Sequence, residues 1–309
     1  MTNVFIDGGS GTTGLRIRQR LAQRGDIRLI ILPEEKRKDA SARREALNDA
    51  DVALLCLPDD AAREAVSLIE NDRTKVIDTS TAHRTDPAWT YGFPELRGQR
   101  ERVRASRRVA NPGCHATGFI ALVEPLVREG LVAPDAALTC FSLTGYSGGG
   151  KKMIAEYEAP GRDALLDAPR MYGLSQSHKH LPEMQAVCGL TTAPLFCPIV
   201  APYYAGMEVT VPLHAAQLGG SAADVRALYA EYYADGLVHV AAPGGENGFL
   251  SAGAFAGRDD MQLSVEGSDE RILLVARFDN LGKGASGAAI QNLNLVTGAP
   301  EAAGLVLRP

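Results

Sequence analysis

VFIDGGSGTTGLRI, Val4 to Ile17, places a short apolar run, a turn with glycines at 8, 9, 11 and 14, and the start of a helical pattern side by side. Val4 to Ile6 reads as a first strand, and Leu15, Ile17 and Leu21 as the apolar face of a helix. Gly8, Gly11 and Gly14 fall on a GxxGxxG spacing. Glycine at these points permits a tight turn and lets a pyrophosphate approach the free amides at the positive end of the helix. A glycine turn alone is a weak signal. A strand before it and a helix after it make it a nucleotide-binding turn, in which Ser10, Thr12 and Thr13 join the glycines as expected contacts.

Outward from this turn, Ile27 to Leu32 reads as a second strand and Val52 to Leu57 as a third, whose unbroken apolar run suits burial on both faces. A helix from Asp60 to Ile69 and a strand from Lys75 to Ile77 follow. Alternating strands and helices of this kind predict an α/β fold with a Rossmann-type doubly wound parallel sheet. After the second strand, Glu34 and Glu35 can take the ribose hydroxyls of NAD, whereas Lys36, Arg37 and Lys38 can hold a 2′-phosphate. Three neighbouring cations make an anion site readily, so the expected cofactor is NADP, with Arg37 and Lys38 as contacts.

Arg97 to Arg108 reads as a basic, solvated connection. A helix is expected after Pro112, with Phe119, Leu122, Val123, Leu126 and Val127 at helical spacing and a kink at Pro125. From Ala137 the pattern changes to strands: Leu138 to Thr144, Leu195 to Pro202, Glu208 to Leu213, Val238 to Val240, Gln262 to Glu266 and Arg271 to Phe278. Few helices intervene, chiefly Ala222 to Ala234 and a segment after Lys151, which predicts an α+β second domain. Ala285 to Val296 is helical again.

Composition narrows the function. The 309 residues are 45% hydrophobic and 22% charged with a formal net charge of -5, so no general attraction to nucleic acid or an anionic membrane is expected. No run approaches the ~20 apolar residues of a membrane span, and MTNVFIDGG does not read as a signal peptide. Cys56, Cys114, Cys140, Cys188 and Cys197 are odd in number and well separated, which fits reduced thiols in the cytoplasm.

One cysteine stands apart. In NPGCHAT, Asn111 to Thr117, proline and glycine break the chain just before a helix, placing Cys114 where the macrodipole and unpaired amides stabilise a thiolate. The other four read as buried structural residues. SHKHLPEM supplies a proton carrier in His178, His180 and Glu183, with the carboxylate close enough in sequence to orient the His180 imidazole. Zinc binding by the same residues is the rival, set aside because no fourth ligand lies nearby, so no metal is expected. TGYSGGGKK offers an anion site through Ser147, the amides of Gly148 to Gly150, Lys151 and Lys152, and DTSTAHR adds Arg84. His115, His83, His214 and His239 read as ordinary hydrogen-bonding or surface residues.

Taken in order, GGSGTTG, DTSTAHR, YGFPE (91 to 95), NPGCHAT, TGYSGGGKK, SHKHLPE and NLGKGASGAAIQNLN (280 to 294) closely resemble the shorter N-acetyl-gamma-glutamyl-phosphate reductases of the aspartate-semialdehyde dehydrogenase superfamily. The resemblance spans essentially the whole chain. It implies a dinucleotide domain of residues 1–112 and 286–309, and an inserted α+β catalytic domain of residues 113–285 that also makes the contacts of a homo-oligomer. It implies Cys114 as nucleophile, His180 as acid/base with Glu183 nearby, and His178 as a substrate anchor. Lys283 to Asn292 would line the nicotinamide side, Ser80 would touch the cofactor, and Arg84, Ser147 and Gly148 the substrate. The reaction implied is NADPH-dependent reduction of N-acetyl-glutamyl 5-phosphate to the 5-semialdehyde and phosphate through a cysteine thioester, in arginine biosynthesis. Lys179 departs from the family pattern, in which arginine often separates the two histidines; it keeps the charge but not the bidentate fork.

Overall fold

The computed structural model describes residues 1–307. The chain divides into two compact units, one formed by Met1–Pro94, Gly98–Pro112 and Ala285–Leu305, the other by Glu95–Arg97, Gly113–Gly284 and the tail from Val306.

Among the described residues of the first unit, strands β1 (Thr2–Asp7), β2 (Ile27–Ile30), β3 (Val52–Leu55), β4 (Lys75–Asp78), β5 (Thr90–Tyr91) and β6 (Arg108–Ala110) form one sheet in the order β2-β1-β3-β4-β6-β5. Every pairing is parallel. Helices α1 (Thr12–Leu21), α2 (Ala40–Asp49) and α3 (Asp59–Ser67) connect the strands. Alternate residues feed two cores. Val4, Val52 and Leu54 pack on one face with Ile17 and Leu21, while Phe5, Ala53 and Leu55 pack on the other with Leu47 and Ala62. This is the doubly wound arrangement that the apolar runs predict, and β3 is buried along its whole length.

The basic stretch departs from expectation. Gln99–Ala105 forms a helix, α4, entered from a left-handed Gly98, and Arg108–Ala110 is β6. Val103 is buried, the Gln99 amide donates to the Tyr91 carbonyl at 2.6 Å, and Arg100 pairs with Glu301 at 2.9 Å. Two apolar residues in seven, Val103 and Ala105, were too sparse to reveal a helical period. The closing helix, Gly287–Thr297, is buried through Val296, and its Ala289, Ile290 and Leu293 complete the core around Val4 and Val109.

In the second unit, the helix after Pro112 is α5 (Cys114–Arg128). It is followed by β7 (Thr139–Gly145), α6 (Gly150–Glu158), β8 (Arg170–Met171), α7 (Leu181–Cys188), β9 (Leu195–Ala201), β10 (Met207–His214), α8 (Ala222–Tyr232), β11 (Val238–Val240), β12 (Met261–Gly267) and β13 (Arg271–Phe278). Among the described residues the strands make a mixed sheet in the order β11-β12-β13-β10-β7-β9-β8. Along β10, Met207, Val209, Val211 and Leu213 are buried, and the alternate residues are more exposed. Helix α5 lies close on the buried face through Gly118, where a β-carbon would come 2.5 Å from Val209 Cγ2 and 2.9 Å from Phe278 Cε1.

Pro125 does not end this helix, which continues to Arg128. Proline has no N–H, so the carbonyl four residues earlier, that of Ala121, loses its helical donor. The Tyr233 hydroxyl donates to it instead at 2.8 Å. Tyr229 likewise donates to the Leu122 carbonyl, and Tyr232 to Glu124 Oε2 at 2.6 Å. The end of α8 thus compensates for the proline in α5. Tyr233→Phe, which removes only that donor, is expected to lower stability by about 1–3 kcal/mol; the shift in urea midpoint measures it, and no shift would mean that water serves the Ala121 carbonyl equally well.

Candidate active site

The glycine turn sits between β1 and α1. Gly8 has φ +83° and packs so tightly that a β-carbon would lie 2.3 Å from the Cys56 carbonyl oxygen. At Gly14 it would lie 2.8 Å from the Gly8 carbonyl oxygen, whereas at Gly11 nothing approaches within 3.7 Å. Gly8 and Gly14 therefore hold the turn together, and Gly11 leaves one side open. No side chain caps α1, so its first amides face outward, and the Thr12 hydroxyl is buried without a protein partner among the described residues. A cleft of about 550 Å³ opens here, lined among others by Gly8, Ser10, Gly11, Arg18, Arg37 and Lys38. Open amides, an unserved hydroxyl and rim cations suit a dinucleotide phosphate. Beneath it, Arg43 bridges Asp7 and Glu64 at 3.0 and 2.9 Å; burial pushes the Asp7 carboxyl up, and Arg43 opposes that.

Other expected contacts in this unit bind the protein itself. Ser80 gives its hydroxyl to Asp78 Oδ2 at 2.7 Å. Arg84 donates to the carbonyls of Asn111 and Thr79 at 3.0 and 2.9 Å. Asn292 is fully buried, with its amide on the Gly92 carbonyl at 2.9 Å and Asn111 Oδ1 at 3.1 Å. Arg84 and Asn292 thus both bind Asn111.

In the second unit Cys114 is the first residue of α5, half-buried, with Gly113 extended at φ -81°, ψ 146° as the N-cap. Glu183 is buried, and its Oε1 accepts the Gly113 amide at 2.8 Å. This buried carboxylate, expected from its spacing to lie near the His180 imidazole, thus also grips the cysteine turn. His180 is the buried N-cap residue of α7, and its backbone amide donates to His178 Nδ1 at 3.2 Å. The two rings stand 4.8 Å apart and nearly perpendicular at 82°.

His115 is the residue that the sequence undervalued. Its ring lies 5.5 Å from that of His180, 5.7 Å from His178 and 5.2 Å from Phe196. Nδ1 is 2.6 Å from the Ser142 hydroxyl, and Nε2 is 2.7 Å from the Tyr172 hydroxyl. Burial, reinforced by His178 and Lys179, pushes the imidazole down to about 3. Burial also lowers His178 and raises the Tyr172 phenol, which the nearby Cys114 raises further. The only sequence signal was the position after Cys114, and consecutive helical residues point about 100° apart.

The remaining expected contacts divide. Gly148 is exposed within the 3-10 turn Tyr146–Gly149, as are Lys151 and Lys152 at the start of α6, whereas Ser147 is buried and accepts from Asn280 Nδ2 at 3.0 Å. Lys283 is buried, its ammonium between both Glu95 oxygens at 2.7 and 2.8 Å, so its charge serves a buried ion pair rather than an open cleft. Its neighbour Gly284, within the π-helical segment Gly282–Ser286, touches the Cys114 stem: a β-carbon there would be 2.9 Å from Cys114 Cβ. No group of three or more ligating side chains is arranged to hold a metal ion, and no helix is long and apolar enough to cross a membrane, among the described residues.

Two family models match the chain: Semialdehyde dehydrogenase, NAD binding domain, over residues 3–105, and Semialdehyde dehydrogenase, dimerisation domain, over residues 114–280. N-acetyl-gamma-glutamyl-phosphate reductase 2 of Pseudomonas putida is 48% identical over 310 residues, covering 97% of this chain and 98% of that protein. The chain belongs to the N-acetyl-gamma-glutamyl-phosphate reductase family. Two further relatives in this family are the reductase of Brucella ovis, 48% identical over 96% of this chain and 98% of its own, and reductase 2 of Nostoc sp., 46% identical over 98% of each. The family's fold is shared with aspartate-semialdehyde dehydrogenases. The Francisella tularensis structure gives a TM-score of 0.71 at 15% identity, covering 96% of this chain and 100% of that one. The Candida albicans structure with NADP gives 0.67 at 15%, covering 96% and 99%.

The low basicity of His115 makes stability depend on pH. An unfolded histidine takes up a proton near ~6.5, whereas the folded ring stays neutral down to about 3. Its contribution is therefore fully present above ~6.5 and is lost as the pH falls toward the folded value, with a limiting slope of about 1.4 kcal/mol per pH unit. Urea unfolding between about pH 6 and pH 4 is expected to show a shallower slope in His115→Phe than in the parent chain; identical slopes would mean that the folded ring is protonated.

Proposed function

We propose that the chain catalyses NADPH-dependent reduction of N-acetyl-glutamyl 5-phosphate to N-acetyl-glutamate 5-semialdehyde and phosphate, the arginine-biosynthetic step for which its relatives are named, in the cytoplasm, where its thiols stay reduced. The observation that carries this reading is Cys114 at the open N-terminus of α5, its turn gripped by Glu183, with His178 and His180 beside the next residue. Unpaired amides and the helix dipole favour the thiolate. The sulfur attacks the γ-carbonyl, the C–O bond to phosphate breaks, and phosphate leaves with the electron pair, so that a thioester remains. The exposed Gly148 amide with Lys151 and Lys152 supplies a place for the departing anion. NADPH, when bound, supplies the hydride that a thioester accepts more readily than a carboxylate. His180 gives a proton to the thiohemiacetal oxygen and takes it back as the carbon–sulfur bond breaks. His178 anchors the substrate. Arg37 and Lys38 on the cleft rim support the 2′-phosphate reading.

The deciding assay is phosphate-dependent reduction of NADP with N-acetyl-glutamate semialdehyde, run beside aspartate semialdehyde. Cys114→Ser is expected to lose nearly all turnover while still binding NADPH, and Arg37→Ala with Lys38→Ala to raise the NADPH KM about tenfold, roughly one charge-assisted contact. Full turnover by the serine variant ends the nucleophile assignment. A preference for aspartate semialdehyde ends the substrate assignment.

The same reading includes a homo-oligomer formed through the outer face of the second unit's sheet. Phe141 pairs in register with Cys197 and Thr210, so Leu195, Met171, Pro212 and Leu273 share its face by two-residue steps. Phe141, Met171, Leu195 and Leu273 are 43 to 62% exposed there. A sheet face this apolar calls for a cover, and the family model over this region is described as a dimerisation domain, which points to a second copy. Leu195→Arg is expected to convert the oligomer to monomer in sedimentation analysis; a monomeric parent chain would overturn the assignment.

A further inference from the structure

The reaction above needs His178 and His180 held in place, yet both lie on residues 172–180, a connection between β8 and α7 with no strand or helix of its own. We propose that Gln176 is the positioning residue for this pair: its side-chain amide clamps the backbone of Phe196 on β9 and so sets the segment that carries both imidazoles. The inference rests on the reading of His178 as substrate anchor and His180 as acid/base.

The clamp closes where the sheet runs out. Strand β8 pairs with β9 at Arg170↔Val200 and Met171↔Ile199, and one more backbone bond follows, from the Tyr172 amide to the Pro198 carbonyl at 3.0 Å. The chain then turns away through Gly173, at φ +64°, and the Gln176 amide closes the turn on the Gly173 carbonyl at 3.0 Å. Two residues further along β9 from Pro198, a side chain takes the place of the departed strand. Gln176 Nε2 donates to the Phe196 carbonyl at 2.7 Å, and Gln176 Oε1 accepts the Phe196 amide at 2.9 Å. A primary amide presents a donor and an acceptor side by side, as the backbone of a neighbouring strand does.

Gln176 makes this contact from φ +54°, a left-handed conformation that among the described non-glycine residues only Asn247 shares. Side chains are uncommon there. A residue held in such a conformation by its contacts points to a geometric requirement. The requirement is found at Phe196, whose backbone is gripped by Gln176 and whose ring meets those of His178 at 5.0 Å and His115 at 5.2 Å. His178 is two residues from the clamp, and its Nδ1 accepts the His180 backbone amide at 3.2 Å. Burial disfavours the charged form of this ring. A neutral imidazole that accepts at Nδ1 carries its proton on Nε2, so it offers an N–H to an acceptor on the substrate. A segment free to slide along β9 would lose both the ring packing and the bond that fixes this tautomer.

Gln176→Asn and Gln176→Gly separate the clamp from the backbone conformation. Both replacements accept a left-handed φ more readily than glutamine, and neither reaches both groups of Phe196, asparagine being one methylene short. Relief of the backbone offsets the lost hydrogen bonds, so unfolding midpoints are expected to stay close to that of the parent chain. Exchange of the Phe196 amide proton is expected to be about tenfold faster in both variants, as loss of one hydrogen bond predicts. In phosphate-dependent reduction of NADP with N-acetyl-glutamate semialdehyde, each is expected to raise the semialdehyde KM about tenfold, roughly one contact from His178, with a smaller fall in kcat. The KM for NADP is expected to be unchanged. If the Phe196 amide exchanges at the parent rate, or exchanges faster while the semialdehyde KM stays at the parent value, the proposal is overturned. A parallel rise in the KM for NADP, or a loss of activity that tracks a fallen unfolding midpoint, overturns it as well, since either marks Gln176 as general packing. Failure of the histidine reading is seen separately, as a parental semialdehyde KM in His178→Ala.

Discussion

The Gly113 amide donates to a buried carboxylate of Glu183 across 69 intervening residues, and this one bond fixes where α5 begins. A helix start left to solvent frays by a residue or two. Here such slack would move the first side chain of the helix, the thiol itself, by more than an ångström. Thr117 returns its hydroxyl to the Gly113 carbonyl at 2.9 Å, closing the first turn of the helix on itself. In the first unit, Asn111 is bound by Asn292 and its carbonyl by Arg84.

Close packing does the same work without charge. Gly118 lets α5 settle on the sheet at Val209 and Phe278, and Gly284 lets the π-helical segment lie on the Cys114 stem. The ion pair between Lys283 and Glu95 is formed in almost complete exclusion of water. Such a pair stabilises little relative to apolar residues of the same size. Its value is geometric, because Lys283 is joined directly to the glycine that touches Cys114. The tyrosines at the end of α8 act similarly at the far end of α5, replacing the donor that Pro125 lacks and keeping the helix whole from Cys114 to Arg128.

How much of this was legible in the sequence depended on whether the relevant contacts are local. The strand, turn and helix from Val4 to Ile17 were readable because period and glycine spacing act over a few residues. So were β3, with its unbroken apolar run, and the helix start at Cys114. Helix α4 was missed because its buried side rests on Val103 and Gln99 alone, and arginines dominated the composition. Arg84, expected at the substrate, and Lys283, expected at the cofactor, each also bind a protein acceptor far along the chain.

The sequence by itself determined the two kinds of sheet, the glycine turn between a strand and a helix, and the placement of Cys114 at a helix start, since all three follow from short-range pattern. Tertiary structure alone decided which groups surround the residue after that thiol. Ser142 on one segment and Tyr172 and His178 on another meet around His115, with β7 and β8 both paired to β9 in the sheet. The protonation state of His115 was likewise beyond the sequence, because a pKa is set by the water and charge excluded or admitted in three dimensions and not by the residues written on either side.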